Sequence, residues 1–300
     1  MTIVAISGAS GFIGNALARE LASAGHEVHR FTRPGRTARP GDISWDPDAG
    51  TLDSAALASA DVVVHLAGEP VAQRWSASVK RDIRDSRVHG TQLIATALAS
   101  LARTHPGPRV LLSGSAVGIY GDRGTELLDE QSTLGTDFLA TVGAEWEAAA
   151  QPAHDAGVRV AFLRTGFVLD QSGGALERML PPFRLGAGGR LGSGAQYVSW
   201  ISLHDVVRAI RHLMEHDVSG PVNIVGPDAV TNEVFSHALG HALSRPALIP
   251  VPEFALSLAF GEMARGVLLA SQRVRPSVLA ANGFTFDDAT LEGALQRALR

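Results

Sequence analysis

The stretch from Thr2 to Leu21, TIVAISGASGFIGNALAREL, constrains the fold more than any other part of this chain. It opens as a short apolar run, Ile3-Val4-Ala5-Ile6. It turns through Gly8-Ala9-Ser10-Gly11-Phe12-Ile13-Gly14 and continues with helical spacing through Ile13, Ala16, Leu17 and Leu21. Strand, glycine turn and helix together form the context in which such a fingerprint has meaning. One glycine allows the tight turn, one lets the backbone approach a pyrophosphate, and one lets the helix pack closely on the strand. The phosphates then face unpaired N–H groups at the positive end of the helix. Gly8, Ser10, Gly11, Phe12, Ile13 and Gly14 are therefore the expected dinucleotide cradle. The competing reading is a plain strand-to-helix loop.

A second strand follows at His26 to Phe31, after Gly25. A site built for NAD places an acidic residue near the end of this strand to accept from the ribose hydroxyls. Here the residues are Thr32-Arg33-Pro34-Gly35-Arg36, with Arg39 beyond. Cations without a carboxylate suit a ribose 2′-phosphate held by guanidinium. NADP(H) is thus expected over NAD(H), against the alternative of a solvated basic loop.

Val62-Val63-Val64 reads as a parallel strand covered on both faces, and its small-residue end, Ala67-Gly68, is expected to pass under the cofactor. Helices are expected over Ser86–Leu101 and Asp137–His154, with strands at Arg109–Ser113 and Val158–Leu163. This alternation predicts an α/β fold, a doubly wound parallel sheet of Rossmann type. The expected division is a cofactor-binding domain over residues 1–169, completed by segments around 203–226, and a smaller, mainly helical substrate lobe over 170–300. Gly173-Gly174 and Pro181-Pro182 mark the start of that lobe as a loop-rich region broken by one short helix, and helices are expected near Thr231–Leu243, Phe254–Ala270 and Thr290–Leu299.

Composition narrows the function. The 300 residues carry a net charge of −4 and no run of Lys or Arg, so a nucleic-acid binder is not expected. The chain has no cysteine, which excludes disulfides, thiolate catalysis and cysteine-ligated metals. No metal is expected. With no apolar run of spanning length and no basic leader, a cytoplasmic protein without a membrane partner is expected, as monomer or homodimer. Arg74, with Lys80, Arg81, Arg84 and Arg87, forms either a solvated helix face or the lining of an anionic substrate pocket. Arg184 and Arg190 carry the same two readings from the lobe.

The glycine turn resembles the fingerprint of the extended short-chain dehydrogenase/reductases. His65-Leu66-Ala67-Gly68 and Ser113-Gly114-Ser115, followed by Ile119-Tyr120-Gly121, resemble that superfamily's later cofactor and active-site turns. Trp45-Asp46-Pro47, Leu66-Ala67-Gly68-Glu69-Pro70, Arg74-Trp75, Arg164-Thr165-Gly166 and Pro182-Phe183-Arg184-Leu185-Gly186 are similar to an atypical group within it. That group is the NAD-dependent epimerase/dehydratase-like (sugar nucleotide epimerase-like) family, with a small C-terminal domain of unknown function. The resemblance implies that Leu66, Ala67, Gly68 and Glu69 line the cofactor. It also implies that Ser113 and Ser115 sit where the superfamily's substrate-hydroxyl serine sits, and that Arg87 stands in place of an asparagine.

The superfamily's proton relay, a tyrosine with a lysine one helical turn on, is missing. The chain has only Tyr120 and Tyr197, followed four positions later by Gly124 and Ile201, and the helix where the motif belongs reads Asp137-Phe138-Leu139-Ala140-Thr141-Val142-Gly143. Three outcomes are open. Hydride transfer uses another donor, with Ser113, Ser115 and Tyr120 as candidates, or carboxylates Glu145 or Glu147 replace the pair, or NADP(H) is bound without turnover. The expected function is an NADP(H)-dependent oxidoreductase or epimerase-like enzyme on a small polar substrate met by Arg74, Arg87 and Arg184. The alternative is a non-catalytic NADP(H)-binding sensor or interaction protein.

Overall fold

Apolar runs alternating with amphipathic helices build one eight-stranded sheet in the computed structural model, which describes residues 1–35, 39–104 and 109–300. The chain begins β1 (Ile3–Ser7), α1 (Phe12–Ser23), β2 (Glu27–Thr32), β3 (Ile43–Asp46), β4 (Thr51–Leu52), α2 (Ser54–Leu57), β5 (Val62–His65) and α3 (Ala77–Thr104). It continues through β6 (Val110–Ala116), β7 (Leu127–Leu128), α4 (Phe138–Ala148), α5 (Gln151–Asp155), β8 (Arg159–Thr165) and β9 (Phe167–Leu169). Next come α6 (Gly174–Arg184), β10 (Tyr197–Val198), β11 (Trp200–Ser202), α7 (Leu203–Glu215), β12 (Gly220–Ile224) and β13 (Val230–Thr231). The last elements are α8 (Asn232–Ala242), α9 (Glu253–Phe260), β14 (Arg273–Val274), α10 (Ser277–Ala281) and α11 (Leu291–Ala298).

The sheet order is β12-β8-β6-β5-β1-β2-β3-β4. Its pairs are parallel except for the β3–β4 hairpin. The chain builds outward from β1 on one side and then returns to build outward from β5 on the other. That reversal opens a crevice beyond the carboxyl ends of β1 and β5, the usual ligand site in such sheets. The register sets Ser7 beside His65 and His65 beside Ser113, so the ends of three strands share one row.

Side chains on β1 and β5 alternate between two apolar layers, as strand geometry requires. Val4, Ile6, Val62 and Val64 pack with Leu17 and Leu21 of α1 and Val206, Ile210 and Leu213 of α7. Ala5 and Val63 pack on the other face with Ile94 and Leu98 of α3. Burial of a Leu such as Leu17 contributes roughly 1.5–3 kcal/mol. A third cluster, including Leu176, Leu180, Phe183, Trp200, Phe235 and Leu239, holds the later helices together. Among the described residues no helix is long and apolar enough to cross a membrane.

Three expected elements differ. The helix over Asp137–His154 is two helices, α4 and α5, with Pro152 in the first turn of the second. Pro181 and Pro182, expected in loop, lie inside α6, where burial of Leu176, Leu180 and Phe183 outweighs the two missing N–H donors. The helix expected over Phe254–Ala270 stops at Phe260, because Gly261 turns to φ +64°, and a short π turn follows at Ala264–Leu268.

Two glycines set how α1 meets β1. Gly8 has φ +71°, and a Cβ on Gly14 would lie 2.2 Å from the Gly8 carbonyl oxygen. Gly14→Ala is expected to push α1 off the turn and to cost about 1–3 kcal/mol, as overpacking does. Urea unfolding followed by circular dichroism measures it, and an unchanged midpoint would contradict the close approach.

Candidate functional site

The crevice begins at the amino end of α1. Gly11 caps the helix with no side-chain oxygen, and the first turn has no acidic residue. The amides of Phe12, Ile13 and Gly14 have no partner among the described residues, so three donors point out of the helix end. A Cβ on Gly8 would lie 2.9 Å from the Leu66 carbonyl carbon, so the turn touches the chain leaving β5. A cleft of about 390 Å³ runs from here, lined by Gly8, Ser10, Thr32, Ala67, Gly68 and Glu69. Arg30, Arg33 and Arg39 line it too, with Asp42 as a facing carboxylate. Arg33 donates to Asp48 at 2.8 Å, both side chains being exposed, while the guanidinium groups of Arg30 and Arg39 have no partner among the described residues. Arg36 lies outside the described residues. Phe12 reaches the other way and packs its ring on Gly173 and Gly174 at the start of the lobe. Open amides at a helix end and unpaired guanidinium groups fit the phosphates of a dinucleotide.

Beneath the cleft, His65 is fully buried. Ser7 Oγ accepts from the Leu66 amide at 3.1 Å, so its proton goes to His65 Nδ1 at 2.5 Å. That bond places the imidazole proton on Nε2, which has no partner in the protein. Trp45 meets the ring edge-on at 5.9 Å. Loss of hydration, and secondarily the Arg87 guanidinium, hold the ring's pKa down at about 4. It is therefore neutral at neutral pH and fixes the Ser7–Leu66 contact as a structural brace.

Arg87 separates this cleft from a second cavity, of about 290 Å³. Its Nη1 donates to the carbonyls of Glu69 and Ile83, both at 2.9 Å, and its guanidinium lies over Trp146 at 5.1 Å. Burial pushes its pKa down to about 10, opposed by the Glu69 carboxylate, so it stays a cation at neutral pH. Leu139, Val142, Gly143 and Trp146 of α4 form one wall, and Phe235, Val267 and Leu268 belong to the lobe side. This helix carries neither tyrosine nor lysine, and the face it turns to the cavity offers Leu139, Val142 and Gly143. Tyr197 lines the same cavity and makes no side-chain hydrogen bond with the described residues; Arg273 lies over its ring at 5.0 Å.

The expected proton donors do not line this cavity. Tyr120 is fully buried, donates to Asn223 Oδ1 at 2.7 Å and accepts from Arg164 at 3.0 Å. Burial raises its pKa further. Ser115 donates to Glu147 at 2.7 Å, and Ser113 is fully buried at the strand end. Glu147 is held by both Nε and Nη2 of Arg164 at 2.8 Å, and Glu145 pairs with Arg84. Ser115, Glu147, Arg164 and Tyr120 are bonded to one another inside the fold, and Ser113, Ser115 and Tyr120 do not line the cavity.

The arginines divide as well. Only Arg87 of the three expected substrate contacts lines the cavity. Arg74 donates to the carbonyls of Leu258 and Ala259 at the end of α9, where its charge suits the helix dipole. Lys80, near the start of α3, pairs with Glu262 at 2.5 Å, just before the π turn beside the cavity. Arg184 donates to Gln171 at 3.1 Å at the end of α6. Tyr197 was missed in the sequence because no lysine follows it at helical spacing; its pairing with Thr231 across β10 and β13 places it.

His65 gives a pH test. Below pH 6.5 the unfolded chain takes up a proton at this position while the native ring, with its pKa near 4, does not. Stability is therefore full above the unfolded pKa and falls as pH drops toward the native one, by on the order of 3 kcal/mol across that window. His65→Gln removes this contribution. Urea unfolding across the window should show a steeper acid loss for the natural chain than for the variant, and parallel losses would contradict a neutral buried ring.

Comparisons with known proteins fit this arrangement. The sequence profile of the NAD dependent epimerase/dehydratase family matches residues 4–226, and that of a domain of unknown function, DUF1731, matches residues 251–298. The epimerase family protein MT2273 of Mycobacterium tuberculosis is 44% identical over 295 residues, covering 98% of this chain and 96% of its own. A crystal structure of human epimerase family protein SDR39U1 (isoform 2) with NADPH is 34% identical, with TM-score 0.88 over 99% of this chain and 98% of that one. The structure of a nucleoside-diphosphate sugar epimerase from Corynebacterium glutamicum is 37% identical, with TM-score 0.79 over 99% of this chain and 58% of that one. The chain belongs to the NAD dependent epimerase/dehydratase family.

Proposed function

We propose that this protein binds NADPH along the crevice and acts as an NADP(H)-dependent oxidoreductase or epimerase-like enzyme on a small molecule held in the Arg87 cavity. On this reading residues 1–169, with the strand at Gly220–Ile224, hold the cofactor, and residues 170–300 shape the substrate side. The observation that carries it is the cluster of Arg30, Arg33 and Arg39 along a cleft lined by Gly8, Ala9 and Ser10 of the glycine turn, which leads into the open amides at the start of α1. The pyrophosphate would rest on the amides of Phe12 and Ile13, and the guanidinium groups would take the 2′-phosphate. The human relative crystallised with NADPH supports the same cofactor. When bound, NADPH supplies a hydride equivalent beside the substrate cavity.

The chain's own task is to place the substrate and a proton. Arg87 supplies a fixed positive charge. Tyr197 is the one phenol among the described residues lining the cavity, and we assign it as proton donor in place of the missing relay. A second reading, a non-catalytic NADPH-dependent binder, is favoured by the apolar face that α4 turns to the cavity.

Two measurements test these assignments. Arg33→Ala and Arg39→Ala should each weaken NADPH by about tenfold or more, the value of a charged hydrogen bond, and leave NADH nearly unchanged. Equal losses for both nucleotides, followed by nicotinamide fluorescence, would overturn the 2′-phosphate assignment. With a carbonyl substrate found by screening the NADPH complex, Tyr197→Phe should lower turnover by roughly a hundredfold or more, while Tyr120→Phe keeps turnover and loses stability. Full activity in Tyr197→Phe would remove it from the proton path, and no oxidation of NADPH by any carbonyl on a broad panel would favour the non-catalytic reading.

A further inference from the structure

We propose that the cavity beside Arg87 takes a small molecule with an apolar body and a single anionic group, rather than a nucleotide sugar. The inference rests on the cofactor reading above and names the substrate class of the same site. It differs from the small polar substrate expected from the sequence, and the reason lies in the cavity's walls.

Arg87 is a half-buried cation facing an apolar cavity, and such a charge favours an anion beside it. Arg87 has no carboxylate within ion-pair distance among the described residues, and only its Nη1 is occupied, by two backbone carbonyls. Its Nε and Nη2 have no partner among the described residues. No Asp or Glu lines the cavity, so Arg87 is the one charged group on it. Charges withdrawn from water are ordinarily paired, and this one is left for a ligand to pair. Its planar fork matches a carboxylate.

The remaining surface excludes a sugar. Leu139, Val142, Phe167, Met179, Phe235 and Leu268 offer no hydrogen bond. The hydroxyls of Thr165 and Ser199 are already spent as donors on the carbonyls of Leu163 at 3.1 Å and Gln272 at 2.7 Å. Tyr197, Asn232 and Gln272 are the other polar side chains there. A sugar ring would bury several hydroxyls against these walls without partners, which costs free energy for each one.

The anion at Arg87 has two possible sources, a carboxylate in the cavity or the cofactor's pyrophosphate in the cleft. Calorimetry on the full chain separates them. Octanoate, octanol and UDP-glucose are titrated into the NADPH-loaded protein, and NADPH affinity is measured separately by nicotinamide fluorescence. Octanoate should bind, octanol should bind at least about tenfold more weakly, and UDP-glucose should neither bind nor displace octanoate. Arg87→Met should weaken octanoate by about tenfold or more with NADPH affinity kept. Val267→Glu, at a partly exposed cavity position that tolerates change without unfolding, should weaken octanoate in the same way. Displacement of octanoate by UDP-glucose, or NADPH binding with no octanoate binding, would overturn the proposal. So would an Arg87→Met variant that loses NADPH but keeps octanoate, since it assigns the cation to the cofactor. Octanoate binding in a chain that fails to bind NADPH would support the cavity assignment and overturn the cofactor reading instead.

Discussion

The charge of Arg164 is only 5% exposed, and everything behind the cavity is arranged to neutralise it. Burial alone works against the cation. The Glu147 carboxylate, reached through Nε and Nη2, outweighs that penalty and holds the guanidinium protonated. A buried pair of this kind costs much of what it returns, and its value lies in how strongly the structure resists losing one partner. Here it fastens α4 to β8 at a fixed rotation. With Glu147 turned to the sheet, the residue before it, Trp146, meets Arg87 and the cavity. The network then gathers Ser115, Tyr120 and Asn223 into one connected set of donors and acceptors. Groups that look reactive in the sequence are thereby consumed in holding the wall of the site.

This explains what could be read in the chain and what could not. The glycine turn, the Val-rich strand and their spacing carry local rules, so the parallel sheet, its reversal beside β1 and the position of the cradle follow from the residues themselves. The basic end of the second strand was legible for the same reason, since Arg33 and Arg39 need only be near the ribose end of a cleft whose place is already set. The fate of Tyr120 was not legible. Its hydroxyl meets Asn223, 103 positions away, and no local pattern announces a partner at that distance. Arg74 is a similar case: its role at the end of α9 is written 184 residues later. Pro181 and Pro182 misled because the residues that read as punctuation sit on the exposed side of a helix whose other side is firmly buried.

The brace under the cleft shows how a titratable residue can be structural. Ser7 and His65 are neighbours by register alone, and the serine's acceptor duty to Leu66 fixes where its proton goes. The ring is neutral because it is dry, and being neutral it can sit beside Arg87 without an added charge to compensate. A second cation in its place would raise the cost of keeping Arg87 unpaired. The neutral imidazole and the unpaired guanidinium are therefore two parts of one electrostatic solution.

The α4 surface carries the same logic into the cavity. A lysine at Gly143 would place a second cation near Arg87, in a space with no carboxylate to receive it. A tyrosine at Leu139 without that lysine would lose the charge that makes a phenol useful as a proton carrier. The two replacements are thus coupled, and once the wall is apolar a proton has to arrive from elsewhere. On the proposed assignment it arrives from Tyr197, on β10, outside the main sheet. The cofactor cradle belongs to the sheet and the proton donor to the lobe, so chemistry requires the two to be held together. Arg74 and Lys80 contribute to that hold, joining the segment after β5 and the start of α3 to the end of α9 and to Glu262, just before the π turn whose Val267 and Leu268 line the cavity.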